Sequence, residues 1–185
     1  MCVESGIWAV PLLEPPIAEI HFPIELSYPD GTFENQDISS RLLDGFKDLK
    51  IDALVAIGGD GTMGIACQVA ELGITVVGVP KTIDNDLDGT IATFGFDTAV
   101  SFATEAIDRL HTTGASHNRV MIVEMMGRHA GWIALEAGLA GSADVILIPE
   151  IPFDLEKVAE KVNQRNATKR NFSIISVAEL SLIHI

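Results

Sequence analysis

Ala53-Leu-Val-Ala-Ile-Gly-Gly-Asp-Gly-Thr62 reads as a buried strand, a glycine turn and the start of a helix. Its apolar run is continuous rather than alternating, the pattern of a parallel strand covered on both faces. In an open parallel sheet, ligands sit outside the carboxyl ends of the strands. Gly58, Gly59 and Gly61 lack Cβ, so the backbone here can approach a phosphate and turn N–H groups toward it. The helix that follows adds a favourable dipole. Asp60 would repel phosphate on direct contact, which points to a bridging Mg2+ as its partner. Taken alone, GGDG fits a tight turn with an acidic tip equally well.

Working outward, the same alternation of short apolar runs and helical stretches continues from residue 51 onward. The runs are Leu54–Ile57, Ile74–Val79, Val120–Val123, Val145–Ile148 and Phe172–Val177. Between them, one helix is predicted from near Thr62 to a C′ glycine at Gly73. A second starts with Asp97 as N-cap, places Val100, Ala103, Ile107 and Leu110 on one face, and ends at Gly114. A third spans about Ala130 to Ala140, closed by Gly141, and a fourth starts at Asp154 and carries Leu155, Val158 and Val162 inward. This order predicts an α/β three-layer sandwich around a parallel sheet. Residues 1–38 hold Pro11, Pro15, Pro16, Pro23 and Pro29 and show no clean period, so they read as an atypical segment ahead of a domain over 39–185.

Composition narrows the function classes. With 12 basic against 26 acidic residues, the formal net charge is −14, which opposes binding to nucleic acid or an anionic membrane. No apolar stretch approaches the roughly 20 residues of a membrane helix. The start, MCVESGIWAVPLLEPP, is acidic and proline-broken, unlike a signal peptide. Two cysteines are too few for a disulfide framework, and a reducing cytoplasm is the expected location. Cys67 is expected to pack in the core; His117 and His129 lack a second ligand at zinc spacing; Trp132 is expected to pack its helix.

Two further motifs carry chemistry. Val79-Pro-Lys-Thr-Ile-Asp-Asn-Asp86 follows a buried strand and sets two carboxylates, Asp84 and Asp86, beside Thr82 and Lys81. A carboxylate there suits the acceptance of a hydroxyl proton during phosphoryl transfer. An Asx-rich turn is the structural alternative. Val120-Met-Ile-Val-Glu-Met-Met-Gly-Arg-His-Ala-Gly-Trp132 is a strand followed by a Met-Gly-Arg turn, with Arg128 at the carboxyl end, where it could neutralise charge on a transferred group. Ser116-His-Asn-Arg119 puts a second arginine at the entering end of the same strand.

In this order and at these spacings, GGDGT, PKTIDND, SHNR and MGRHAGW resemble the phosphofructokinase family, from about Arg41 to Glu179. The likeness is to the bacterial branch that mixes features of ATP-using and pyrophosphate-using enzymes. The resemblance implies a cytoplasmic, glycolytic, allosteric 6-phosphofructokinase that transfers a phosphoryl group from ATP, with Mg2+, to the 1-hydroxyl of fructose 6-phosphate. By the same resemblance Gly59, Asp60, Gly61, Thr62 and Lys81 hold the donor, with Asp60 near the metal. Asp84 is the base, and Thr82 and Asp86 complete its pocket. Met126, Gly127 and Arg128 contact the sugar, and Arg128 also stabilises the transition state. Glu179 binds sugar hydroxyls. Arg119 binds the 6-phosphate across a subunit boundary of a homo-oligomer.

The chain departs from that family at both ends. Residues 1–38 lack the first Gly-Gly-Asp-x-x-Pro-Gly loop, and the chain stops soon after Glu179, which predicts an incomplete copy. Pyrophosphate as donor and a non-catalytic fragment are the alternatives, and the NAD kinase and lipid kinase group shares only the GGDGT loop. Gly61 favours ATP, since a carboxylate there would oppose the α-phosphate, whereas Lys81 favours pyrophosphate. The chain alone is expected to give no measurable phosphorylation of fructose 6-phosphate, because positioning supplies most of the catalysis in this chemistry. It is also expected to associate through uncovered apolar surface. Robust turnover by a verified monomer would overturn both expectations.

Overall fold

A strand (β1, Trp8–Ala9) and an antiparallel pair (β2, Pro23–Ser27, with β3, Phe33–Asp37) precede the α/β alternation in the computed structural model, which describes residues 8–9, 23–27, 33–37 and 39–182. Residues 1–38, read as lacking a clean period, thus hold paired strands at β2 and β3, and apart from β1 the rest of that stretch lies outside the described residues. Pro23 does not prevent pairing, because it occupies the first position of its strand. The chain divides into two compact units, Met1–Pro80 and Lys81–Ile185.

In the first unit, α1 (Ser39–Asp48) leads into β4 (Ala53–Gly58), α2 (Asp60–Glu71) and β5 (Thr75–Thr82). β4 and β5 pair in parallel, Val55 opposite Val77 and Gly58 opposite Pro80, while β1 pairs antiparallel with the other edge of β5. The core joins Ala66, Val69 and Ala70 of α2 to Ile74 and Val76, with Leu42, Leu43 and Phe46 of α1 and Leu54 and Ala56 of β4 against it. Only one face of β4 is used; Val55 and Ile57 on the other are exposed, contrary to the two-sided burial read from their apolar run. Cys67 is also exposed rather than packed, because Ala66, Val69 and Ala70 form the buried stripe of α2 and residue 67 falls off it. Gly73, at φ +90°, ends that helix as expected.

In the second unit, β6 (Phe94–Gly95), α3 (Phe96–His117), β7 (Val120–Met125), α4 (Trp132–Ala140), β8 (Val145–Leu147), α5 (Leu155–Ala167), β9 (Ser173–Ala178) and a 3-10 turn (Glu179–Leu182) follow in order. The parallel sheet runs β7-β9-β8. Ile174 and Ala178 face Phe96 and Ile107 of α3 and Ile133, Ala134 and Ala137 of α4. Ile175 and Val177 join Leu147 on the opposite face, where Val158 and Val162 of α5 cover them. Three layers result, as the sequence predicts. Ile107, Ile174 and Val177 are fully buried, and each contributes about 1.5–3 kcal/mol by leaving water. Val120 and Ile122 of β7 stay exposed, since α5 packs over β8 and β9.

Several boundaries differ from the sequence reading. Gly95, not Asp97, is the N-cap of α3, and Asp97 lies in its first turn. Gly114 does not end α3. The helix continues to His117 and stops where Asn118 turns left-handed at φ +50°. Gly114 serves packing instead, because a Cβ there would stand 3.1 Å from the Phe172 ring. α4 begins at Trp132 rather than Ala130, and Trp132 at its first position is half exposed rather than packed. The Asp154 carboxylate does cap α5, accepting from Glu156 N at 2.8 Å, a contact worth about 1 kcal/mol. Leu155, expected inward, is exposed. No helix among the described residues is long and apolar enough to cross a membrane.

Candidate active site

Register builds the site in the second unit. Met125 of β7 lies opposite Ala178 of β9, so the residues that leave these strands emerge side by side. Glu179 Oε1 accepts the backbone N–H of Arg128 at 2.7 Å. The turn that carries Arg128 is tight: Ala130 N donates to Gly127 O at 2.9 Å. Gly127 has φ +148°, and a side chain there would collide with the Ala130 carbonyl, so only glycine fits. Arg128 itself is left-handed at φ +51°, a conformation that costs a non-glycine residue about 1–2 kcal/mol. The Glu179 contact helps to hold it there.

The Thr82–Asp86 loop supplies the carboxylates. Thr82 Oγ1 donates to Asp84 Oδ2 at 3.2 Å and accepts from Asp84 N at 3.2 Å. Asp86 Oδ2 meets Arg128 Nη1 at 3.4 Å. Its Oδ1 is buried and has no hydrogen-bond partner among the described residues. The two acids that look equivalent in the sequence therefore divide: Asp84 is held by the threonine two residues before it, Asp86 by the arginine of another turn. Between them Asn85 is left-handed at φ +55°.

Thr82, Asp84, Asp86, Gly127, Arg128 and Glu179 thus come together, with Met126 exposed beside them. Arg119 does not join them. It precedes β7 at the strand's entering end, where its carbonyl accepts from Ser173 N at 3.3 Å. Lys81 is exposed on β5, opposite Phe94 of β6. In the first unit, α2 starts at Asp60 directly after β4, and Gly59 at its N-cap accepts from Met63 N at 2.9 Å. Without a Cβ at Gly58, Thr62 lies against the strand end; a Cβ at Gly61 would meet nothing within 4 Å.

Two residues escaped the sequence reading. Glu150, just past β8, accepts from Gly131 N at 2.8 Å and anchors the far end of the Arg128 turn. Thr93 donates its hydroxyl to Thr82 O at 2.7 Å, and its N–H to Asn85 Oδ1 at 2.9 Å. Glu150 carried a signal, an acid at a strand's carboxyl end. Thr93 carried none.

A family model described as Phosphofructokinase matches residues 28–183, starting ahead of the boundary at residue 39. The ATP-dependent 6-phosphofructokinase of Chloroflexus aggregans is 65% identical over 139 residues, covering 75% of this chain and 39% of that protein. The pyrophosphate–fructose 6-phosphate 1-phosphotransferase of Amycolatopsis methanolica is 64% identical over 132 residues, covering 71% of this chain and 38% of its own. Among solved structures, a pyrophosphate-dependent phosphofructokinase from Marinobacter aquaeolei matches with a TM-score of 0.69 at 35% identity, over 76% of this chain and 40% of that one. The chain spans about two-fifths of the length of the curated relatives it matches. Motifs, parallel α/β architecture and family match agree: this chain belongs to the phosphofructokinase family.

Proposed function

We propose that the chain supplies the proton-accepting and charge-neutralising part of a 6-phosphofructokinase site, acting in the cytoplasm on fructose 6-phosphate with ATP as donor. The observation that carries this reading is the pairing of Arg128 with Asp86 and Glu179, next to an Asp84 that Thr82 holds separately. Asp84 accepts the proton of the 1-hydroxyl as its oxygen attacks the terminal phosphorus of the donor, and the bond to the leaving phosphate oxygen breaks. The guanidinium of Arg128 faces the charge that develops on the transferred group. Thr82, Asp86, Met126, Gly127 and Glu179 shape the sugar pocket. Arg119, at the other end of β7, serves the 6-phosphate in the site of a neighbouring copy in a homo-oligomer.

Gly59, Asp60, Gly61, Thr62 and Lys81 are proposed to receive the donor. No group of three or more His, Cys, Asp or Glu side chains that could hold a metal gathers among the described residues. A single carboxylate at Asp60 still fits Mg2+, which keeps waters and takes its other ligands from phosphates. Bound there, the ion would neutralise donor phosphate charge.

The test is an extended enzyme, in which this chain is completed to its relatives' length with segments of the Chloroflexus aggregans protein. It should phosphorylate fructose 6-phosphate, with a higher kcat/KM for ATP than for pyrophosphate at saturating Mg2+. A preference for pyrophosphate would show that Lys81 rather than Gly61 sets the donor. Gly61→Asp should lower ATP use by about 10²-fold and pyrophosphate use far less, because a carboxylate beside the α-phosphate is repulsive. The new side chain has open space in the first turn of α2, where a negative charge suits the helix, so the loss would report on the donor and not on folding.

A further inference from the structure

Asp84 sits in a loop that leaves β5 and returns to it at the same point. Lys81 pairs with Phe94 and Thr82 with Gly95, so residues 83–92 form a closed excursion pinched at its neck. Thr93 stands at that neck and is 5% exposed. Its hydroxyl donates to the carbonyl of Thr82 at 2.7 Å, and its N–H donates to the Asn85 side chain at 2.9 Å. One residue therefore grips the loop on both sides of Asp84.

We propose that Thr93 is a positioning residue for Asp84. Fixing the Thr82 carbonyl steadies the backbone from which that residue's hydroxyl projects, and the hydroxyl bonds both the backbone N–H and the carboxylate of Asp84. Fixing Asn85 secures the left-handed turn, at φ +55°, that separates Asp84 from Asp86. Such a backbone conformation persists only where surrounding contacts determine it. Thr93 acts through Thr82 and Asn85, the two residues it bonds. The proposal rests on the reading of Asp84 as the proton acceptor, and a proton transfer is sensitive to misplacement of its acceptor by an ångström or less.

Thr93→Val keeps the shape and the backbone N–H but removes the hydroxyl. In the extended enzyme it should lower kcat by about tenfold or more with the KM for the donor unchanged. Thr93→Ser should recover kcat to within about threefold of the parent, since it restores the donor to Thr82. The assay temperature is set well below the unfolding of all three proteins, so a merely structural role would leave kcat untouched. Amide exchange in this chain gives a readout independent of activity: Thr93→Val should speed exchange at Asp84 by about tenfold relative to residues of β9. A kcat within twofold of the parent, or unchanged exchange at Asp84, overturns the proposal. If the unsubstituted extended enzyme fails to phosphorylate fructose 6-phosphate, the function proposed above falls, and exchange at Asp84 alone then decides whether Thr93 holds the loop.

Discussion

In the extended enzyme, Asp84→Asn is expected to lower kcat by about 10²-fold or more while leaving nucleotide affinity nearly unchanged. The substitution is close to isosteric. An asparagine carbonyl still accepts from Thr82 Oγ1, and the backbone bond from residue 84 to that hydroxyl does not involve the side chain. The loop therefore keeps its form, and only the capacity to take a proton is lost. Asp86 is less suited to that role, because its carboxylate is paired with the Arg128 guanidinium, and an opposite charge nearby makes a carboxylate a poorer proton acceptor. The donor motif lies at the start of α2, outside this loop, which is why nucleotide affinity should hold. Steady-state kinetics with both substrates varied checks it; a kcat within a few-fold of the parent removes Asp84 from the role of base.

The second large effect concerns stability. Asp144 Oδ1 pairs with Arg165 Nη1 at 2.7 Å, and its Oδ2 accepts from Ile174 N at 3.0 Å. Both side chains are well buried, at 13% and 15% exposure, and Arg165 Nε also donates to Ser173 Oγ at 3.1 Å. Asp144→Ala would strand a guanidinium in a poorly solvated place and free a backbone N–H of β9. Breaking such a pair from one side costs about 3–5 kcal/mol. Domains are stable by about 5–15 kcal/mol in total, so the variant should unfold at much lower temperature and urea concentration, or fail to accumulate folded. Urea midpoints of this chain and the variant, read by far-UV circular dichroism, are the check. A change below about 1 kcal/mol would mean that water compensates Arg165 fully.

How far the sequence could be read depended on distance along the chain. Strands β5 and β9 declared themselves because parallel strands read as near-continuous apolar runs, and the glycine turns after β4 and β7 mark where backbone geometry is constrained. The same rule misled at Val55, Ile57 and Ile122, whose apolar character says nothing about whether a second layer covers that face. Gly114 looked like a helix stop, since sequence shows a missing side chain but not the Phe172 ring that fills its place. Within the site, Thr82, Asp84, Asp86 and Arg128 were legible as chemistry. Their division of labour was not, because it depends on which partner reaches which carboxylate. Thr93 stayed invisible for the same reason: a threonine acquires a role here only when the chain returns to meet Thr82, and local spacing does not encode that return.

β9 carries a further consequence, for the lengths this chain can tolerate. Its alternate residues serve different masters: Ile174 and Ala178 meet α3 and α4 and Ser176 bonds the Ala134 carbonyl of α4, while Ile175 and Val177 meet α5. The α4 side is the tighter one, since a Cβ on Gly138 would already stand 3.1 Å from the Ser176 Cβ. Inserting or deleting one residue would exchange the two sets, because side chains alternate with a period of two. Ile175 or Val177 would then be driven against Gly138 and Ala134, where a serine barely fits, and Glu179 would no longer emerge beside Arg128. One-residue insertions or deletions, harmless in most loops, should therefore disrupt packing within β9. The strand fixes the site's spacing by its residue count as much as by its residues.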